Sequence, residues 1–176
     1  MEKTTLNIDI KSEQKKSQEL LSQQGLRVLV CAGTGCVANG SLKVIEKFKE
    51  LGADVAVLTD YDKMTIVPTG CHGFCEQGVL VVIPDKHVTY VKVKEKDVEE
   101  IYESHIKNGK PVERLLYVDP KTHEHVMDDE HINFYAKQTR TALANCGNIN
   151  AECIEEAIAV RGYEALAKVL EENNPD

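Results

Sequence analysis

The chain has 176 residues, of which 29 are acidic and 21 basic, for a formal net charge of −8. This balance repels a phosphate backbone and argues against nucleic acid as a partner; 5% aromatic residues and no Trp weaken any reading based on base-stacking platforms. No apolar run reaches the roughly 20 residues of a membrane-spanning helix, and the polar start MEKTTLNIDIKSEQKKSQELLSQQ lacks the apolar core of a secretory signal, so a cytoplasmic, reducing setting is expected, where six cysteines serve as ligands or buried thiols rather than disulfides.

Residues 1–25 read as a polar arm, with a short helix or loose segment over 11–24 in which Leu20 and Leu21 are the only apolar pair. LRVLVC (26–31) is uninterrupted and apolar, the pattern of a buried strand. SLKVIEKFKELG (41–52) follows with Leu42, Ile45, Phe48 and Leu51 at helical spacing, Ser41 placed as an N-cap and Gly52 as the stop. ADVAVLT (53–59) reads as a second strand, which makes a right-handed βαβ unit and the start of a parallel sheet. KMTIVPTG (63–70) is mixed and ends in a turn. GVLVVIP (78–84) and HVTYVKV (87–93) are two strands joined by Asp85 and Lys86, as in an antiparallel hairpin. KEKDVEEIYESHIKNGK (94–110) is a helix with Val98, Ile101, Tyr102, His105 and Ile106 on one face and Gly109 closing it.

The order βαβ then ββα defines an α/β, thioredoxin-like domain over 26–110, with a C-terminal extended and helical tail over 111–176. The first part of the tail lacks a clean period and is expected to be extended, wrapping over a neighbour. Asn150 is expected to cap a helix at 151–160, which Gly162 breaks before a second one at 163–172.

The cysteines carry the chemistry. Cys31 and Cys36 (CAGTGC) lie where the first strand hands over to the helix, and Cys71 and Cys75 (CHGFC) lie in the loop before the hairpin. In this arrangement the two loops sit side by side at one end of the sheet, so four thiolates converge on one centre. A 2Fe–2S cluster with four thiolates carries a charge of about −2 when oxidised and about −3 when reduced, which backbone N–H groups must meet. Gly33, Gly35, Gly70 and Gly73 allow the tight turns that aim such groups at sulfur, and the helix start after Cys36 adds its positive end. His72 is placed to donate a hydrogen bond near the cluster and tune its potential.

Other readings fit less well. Zinc knuckles use a two-residue spacer in at least one half, and a redox dithiol uses Cys-x-x-Cys, which does not occur. The Gly33/Gly35 loop also resembles a dinucleotide-binding turn, but Gly40 comes two places late, Asp60 lies beyond the usual acidic position, and GCHGFC is left unexplained. Cys146 and Cys153 are read as buried packing residues, and HEHVMDDEH (123–131) as a solvated loop rather than a metal site. No nucleophile with an adjacent base, carboxylate pair or Walker loop stands out, so no catalytic residue is assigned.

CAGTGC, GCHGFCE and GVLVVIPDKHVTYVKV resemble the thioredoxin-like 2Fe–2S ferredoxin domain at the N-terminus of the flavin-binding, NADH-oxidising (beta) subunit of NAD(P)-linked, electron-bifurcating iron hydrogenases and related formate dehydrogenases. The tail, PVERLLY and then KQTRTALANCGNINAECIEEAIAVRGYEALAKVL, resembles the segment leading into the flavin domain of that subunit. The resemblance implies a one-electron carrier within a multisubunit oxidoreductase. Its partners would be iron–sulfur hydrogenase or formate dehydrogenase subunits and a small 2Fe–2S subunit. The Gly-rich FMN loop of that family is expected after a segment like VLEENNPD, where this chain ends. FMN, NAD(P) and the further iron–sulfur clusters are therefore expected in other parts of the subunit or complex.

Overall fold

The protein is described here from a computed structural model over residues 9–52 and 63–172. Its contacts divide it into two compact units, one of residues up to Gln23 together with those from Ala151 onward, the other Gln24–Asn150.

The larger unit is built on a four-stranded sheet. Strand β1 (Leu26–Cys31) pairs in parallel with β2 (Met64–Thr69), and antiparallel with β3 (Val81–Ile83), which pairs antiparallel with β4 (Val88–Tyr90); the sheet order is β2-β1-β3-β4. This is the expected thioredoxin-like topology. The strand parallel to β1 is Met64–Thr69, a segment whose Pro68 argued for a turn. Its place explains the proline: among the described residues β2 is the outermost strand of the sheet, and a residue without an N–H is tolerated there. The strand expected at 53–59 lies outside the described residues. β3 and β4 are shorter than expected, and a single 3-10 turn (Pro84–Lys86) with His87 in the left-handed region joins them in place of a two-residue link.

After β1 the chain forms a short helix, α2 (Thr34–Ala38), before α3 (Ser41–Gly52). Cys36 therefore sits inside a helical turn instead of just ahead of one. The core face of α3 is Val44, Ile45 and Phe48, with Leu51 partly buried, while Leu42 is 52% exposed. Ser41 is the first residue of α3 and wholly buried, and its hydroxyl makes no hydrogen bond, so the expected side-chain cap is not made. Leu26, Val28 and Val30 of β1 are fully buried and form the centre of the core.

The helix over 95–107 (α4) opens with a 3-10 turn at Glu95–Asp97 and winds as a π-helix over Ile101–Lys107. The five residues assigned to its inner face are all buried, and Gly109, at φ +68, closes it. Arg114 ties the following turn back to this helix through Asp97, at 2.9 Å, and Glu100. Beyond it the chain does wrap, over its own domain. Residues 117–118 (β5) and 125–126 (β6) form a small hairpin, Leu116 bridges Tyr90, and Thr89 N–H donates to the Met127 carbonyl at 2.6 Å. A helical turn, α5 (Asn133–Ala136), follows. His123, His125 and His131 are solvent-exposed as expected, but the stretch 123–131 is not all loop, since it contains β6.

His105 gives the core a pH signature. It is buried, with Nδ1 2.8 Å from Tyr90 Oη, which also accepts the Val112 N–H at 3.0 Å. The hydroxyl therefore spends its one proton on a neutral imidazole. Burial, and then the charge of Lys86, push the His105 pKa below the ordinary value of 6.5. With the folded value below the unfolded one, the unfolded chain binds the extra proton first; the contribution is complete above about pH 6.5 and is lost as pH falls below it. The unfolding midpoint is thus expected to drop on acidification from pH 7.5 to 5. Histidine NMR should show the His105 ring titrating below the ordinary value of 6.5, and titration at or above 6.5 would refute this account.

The smaller unit is helical: α1 (Ile10–Ser22), α6 (Ile154–Ala159) and α7 (Glu164–Glu172). Asp9 caps α1 by accepting the Ser12 N–H at 3.0 Å, and Gln18 Nε2 donates to the Ala159 carbonyl at 3.1 Å. Asn150 does not cap α6. The helix begins at Ile154, three residues later than expected, so Cys153 occupies the cap position, with no side-chain cap bond, and Asn150 instead bridges Thr69 of β2. No helix among the described residues is long and apolar enough to cross a membrane.

Candidate functional site

The parallel register of β1 with β2 decides where the cysteines meet. Cys31 stands opposite Thr69, so both strands leave the sheet at the same end. Cys36 follows five residues after Cys31 through α2, and Cys71 two residues after Thr69. The loops then lie against each other with nothing to spare. A Cβ on Gly33 would stand 2.9 Å from the Cβ of Cys71, one on Gly35 3.8 Å from the Cys75 sulfur, and one on Gly78 2.7 Å from the Cys36 sulfur. Gly33 thus makes room for the opposing cysteine loop, whereas a side chain on Gly35 would meet Cys75 at ordinary contact distance. Gly70 differs from expectation: it has open space and no left-handed φ.

All four thiols face this junction. Cys71 Sγ and Cys75 Sγ are 3.7 Å apart; two thiolates on one tetrahedral metal with bonds of about 2.3 Å stand about 3.8 Å apart. Cys31 and Cys36 are the second pair, and each thiol is the largest influence on the other's protonation. The neighbouring Cys36 thiol, with backbone N–H groups of His72 and Gly33 and the Cys71 thiol, pulls the Cys31 pKa down to about 6 against its burial. The Cys31 thiol, then burial and the charge on Cys31, push Cys36 up, with the Leu80 N–H opposing. At Cys71 the Gly73 N–H, 3.3 Å away, favours the thiolate, but burial and the Cys75 and Cys31 sulfurs outweigh it and leave the pKa raised. The protons are thus shared unequally among thiols in mutual contact, and a bound cation would displace them all.

The two pairs differ in exposure. Cys31 and Cys36 are each 1% accessible, whereas Cys71 and Cys75 are exposed. Among the described residues no group of three or more His, Cys, Asp or Glu is arranged to hold one metal ion. Two thiolates for each of two irons is the demand of a dinuclear cluster, and two close pairs is the pattern present. The donor set is therefore suited to a 2Fe–2S cluster.

His72 serves the site through its backbone. Its ring is buried, with Nε2 3.0 Å from Thr69 Oγ1 and the other face against Gly147, where a Cβ would lie 2.7 Å from Nδ1. Burial, and then the charge of Arg140, hold its pKa down at about 4. The ring hydrogen bond expected toward the cluster is thus made to Thr69 instead. Cys146 and Cys153 are half-buried, not buried as expected; Cys153 Sγ donates to Glu155 Oε2 at 3.2 Å.

Sequence reasoning missed the residues that the wrapping segment brings to the site. Phe74, between the two loop cysteines, stacks on Phe134 at 4.6 Å and 8°, and meets Tyr135 edge-on at 5.5 Å and 74°. Phe134 and Tyr135 are about 60 residues downstream of Phe74 in an aperiodic stretch, so no local pattern signals the contact.

The pattern of the family Thioredoxin-like [2Fe-2S] ferredoxin matches residues 20–105. The chain is similar to the 2Fe-2S ferredoxin of Aquifex aeolicus (strain VF5), 40% identical over 84 residues that make up 46% of this chain and 71% of that protein. Among solved structures, a thioredoxin-like 2Fe-2S ferredoxin from Aquifex aeolicus is similar at 36% identity and a TM-score of 0.46, covering 51% of this chain and 87% of that one. A shorter similarity, 62% over 34 residues, links 19% of this chain to 7% of the NADP-reducing hydrogenase subunit HndC of Solidesulfovibrio fructosivorans.

Proposed function

As this chain belongs to the thioredoxin-like 2Fe–2S ferredoxin family and is a 2Fe–2S electron carrier, we propose that Cys31, Cys36, Cys71 and Cys75 are the four ligands of its cluster. The observation that carries the assignment is the meeting of the two cysteine loops, with Cys71 and Cys75 at the 3.7 Å spacing of two thiolates on one metal. On this reading Cys71 and Cys75 hold one iron, and Cys31 and Cys36 the other. When bound, the cluster takes up and releases single electrons. The chain's own residues set its environment: backbone N–H groups of Gly33, His72, Gly73 and Leu80 point at the sulfurs, and the core keeps water from Cys31 and Cys36. Cys71 and Cys75 face solvent, which makes their side the one through which electrons enter and leave.

The wider setting proposed is a multisubunit, flavin-containing oxidoreductase linked to NAD(P), of hydrogenase or formate dehydrogenase type, in the cytoplasm. The short similarity to HndC and the character of residues 111–172 support it. Hydride chemistry then belongs to a flavin outside this chain, and the partners are the iron–sulfur subunits of such a complex.

Reconstituted protein is expected to contain iron and acid-labile sulfide in equal amounts, two of each per chain, and to give a rhombic electron paramagnetic resonance signal after one-electron reduction. NADH alone should leave the cluster oxidised. Colourless protein holding one zinc would refute the ligand reading in favour of a zinc module, and reduction by NADH without a flavoprotein would refute the placing of hydride chemistry elsewhere.

A further inference from the structure

One buried polar atom beside the cysteine loops is unaccounted for: the Tyr135 hydroxyl oxygen is shielded from solvent and has no hydrogen-bond partner. Burying an unpaired hydroxyl is costly, and native structures rarely leave one without a reason. Its position is not an accident of a loose loop. Ile132, fully buried, anchors the turn, the Tyr135 N–H donates to the Ile132 carbonyl at 2.9 Å, and the ring is held between Phe74 on one side and the Arg140 guanidinium, 5.3 Å from its centroid.

We propose that the Tyr135 hydroxyl, buried beside the loop of Cys71 and Cys75 through its ring's contact with Phe74, donates a hydrogen bond to a sulfur of the 2Fe–2S centre and so raises its reduction potential. The inference rests on the ligand reading given above. Phe74, against which the ring packs, immediately precedes Cys75 in the chain. The charges of Cys31 and Cys71 reach the phenol: after burial and Asp129, and against Arg140, they are among the influences that oppose its ionisation. The hydroxyl therefore stays protonated beside a cluster whose negative charge grows on reduction, and a donor of that kind stabilises the reduced state more than the oxidised one. Tyr135 lies outside residues 20–105, the part matched by the family pattern. The segment after the ferredoxin domain thus acts as a tuning element as well as a cover. Tyr135 is a positioning and tuning residue here; it transfers no electron itself.

The test is Tyr135→Phe in the full chain, which removes one oxygen and keeps the ring. With iron and sulfide content equal to wild type, the midpoint potential in a spectroscopically monitored redox titration should fall. The expected change is about tenfold in the oxidised-to-reduced ratio, about 59 mV for a one-electron couple. After exchange into deuterium oxide, electron–nuclear double resonance on the reduced cluster should lose one coupled deuteron in the variant. Leu143→Ala, at an exposed position of the same segment, should keep the potential. An unchanged potential in Tyr135→Phe, an unchanged deuteron signal, or an equal shift in Leu143→Ala would overturn the proposal while leaving the ligand reading intact. Failure of the ligand reading would show separately, as wild-type iron and sulfide content unaffected by Cys31→Ala.

Discussion

Cys36→Ala is expected to strip the protein of its cluster, lowering iron and sulfide per chain about tenfold or more, with no recovery when external thiol is added. Cys75→Ala is expected to lose the cluster on purification but to regain it in the presence of a small thiol. The contrast follows from burial. Cys36 is 1% accessible and packed beneath the Cys31 and Leu80 region of the core, so nothing in solution reaches the empty position. Cys75 lies in an exposed 3-10 turn, where a thiolate from solvent can complete the iron's tetrahedron. Iron and sulfide assays with and without mercaptoethanol, read beside the visible spectrum, decide the matter. Full cluster content in Cys36→Ala would remove Cys36 from the ligand set, and equal rescue of both variants would show that burial does not control access to the irons.

Gly33→Ala is expected to shorten the lifetime of the cluster against an iron chelator by about tenfold, with the far-ultraviolet circular dichroism of the fold unchanged. Gly33 has φ −63 and ψ 155, a backbone any residue adopts, so the effect does not come from conformational strain. It comes from contact: the added methyl would stand 2.9 Å from Cys71 Cβ and 3.2 Å from its Cα, atoms that no rotamer change can move. The loops must part by several tenths of an ångström, and the sulfur positions part with them. Small displacements weigh heavily on metal sites because ligand distances are tightly held. Gly70→Ala is the control. It lies one residue before Cys71, yet nothing stands within 4 Å of its added methyl, so chelator resistance should equal that of wild type. Equal lifetimes for Gly33→Ala and wild type would show that the loops are not held in this contact.

The apolar run 26–31, the helical face around Ile45 and Phe48, and the inner face Val98, Ile101, Tyr102, His105 and Ile106 all carry local periodicity, and all are buried as that periodicity requires. The four cysteines in two glycine-bearing loops carry a chemical signal that survives any error in the strand between them. Leu42 misled because it shares spacing with Ile45, while Val44 lies closer to the true centre of the buried face. Pro68 misled because a proline is turn-like in sequence and tolerated in an outermost strand, and that position is a property of the whole sheet.

By itself the sequence determined the class of fold and the cofactor chemistry, since strand and helix periods and cysteine spacing are local properties that side-chain chemistry dictates. The tertiary structure alone decided which thiols are sealed and which are open, which glycines are true contacts, and that Phe134 and Tyr135 lie over the cysteine loops. Those facts depend on burial and on approach between segments far apart in the chain, and both arise only when the sheet, its parallel register and the wrapping segment are assembled together.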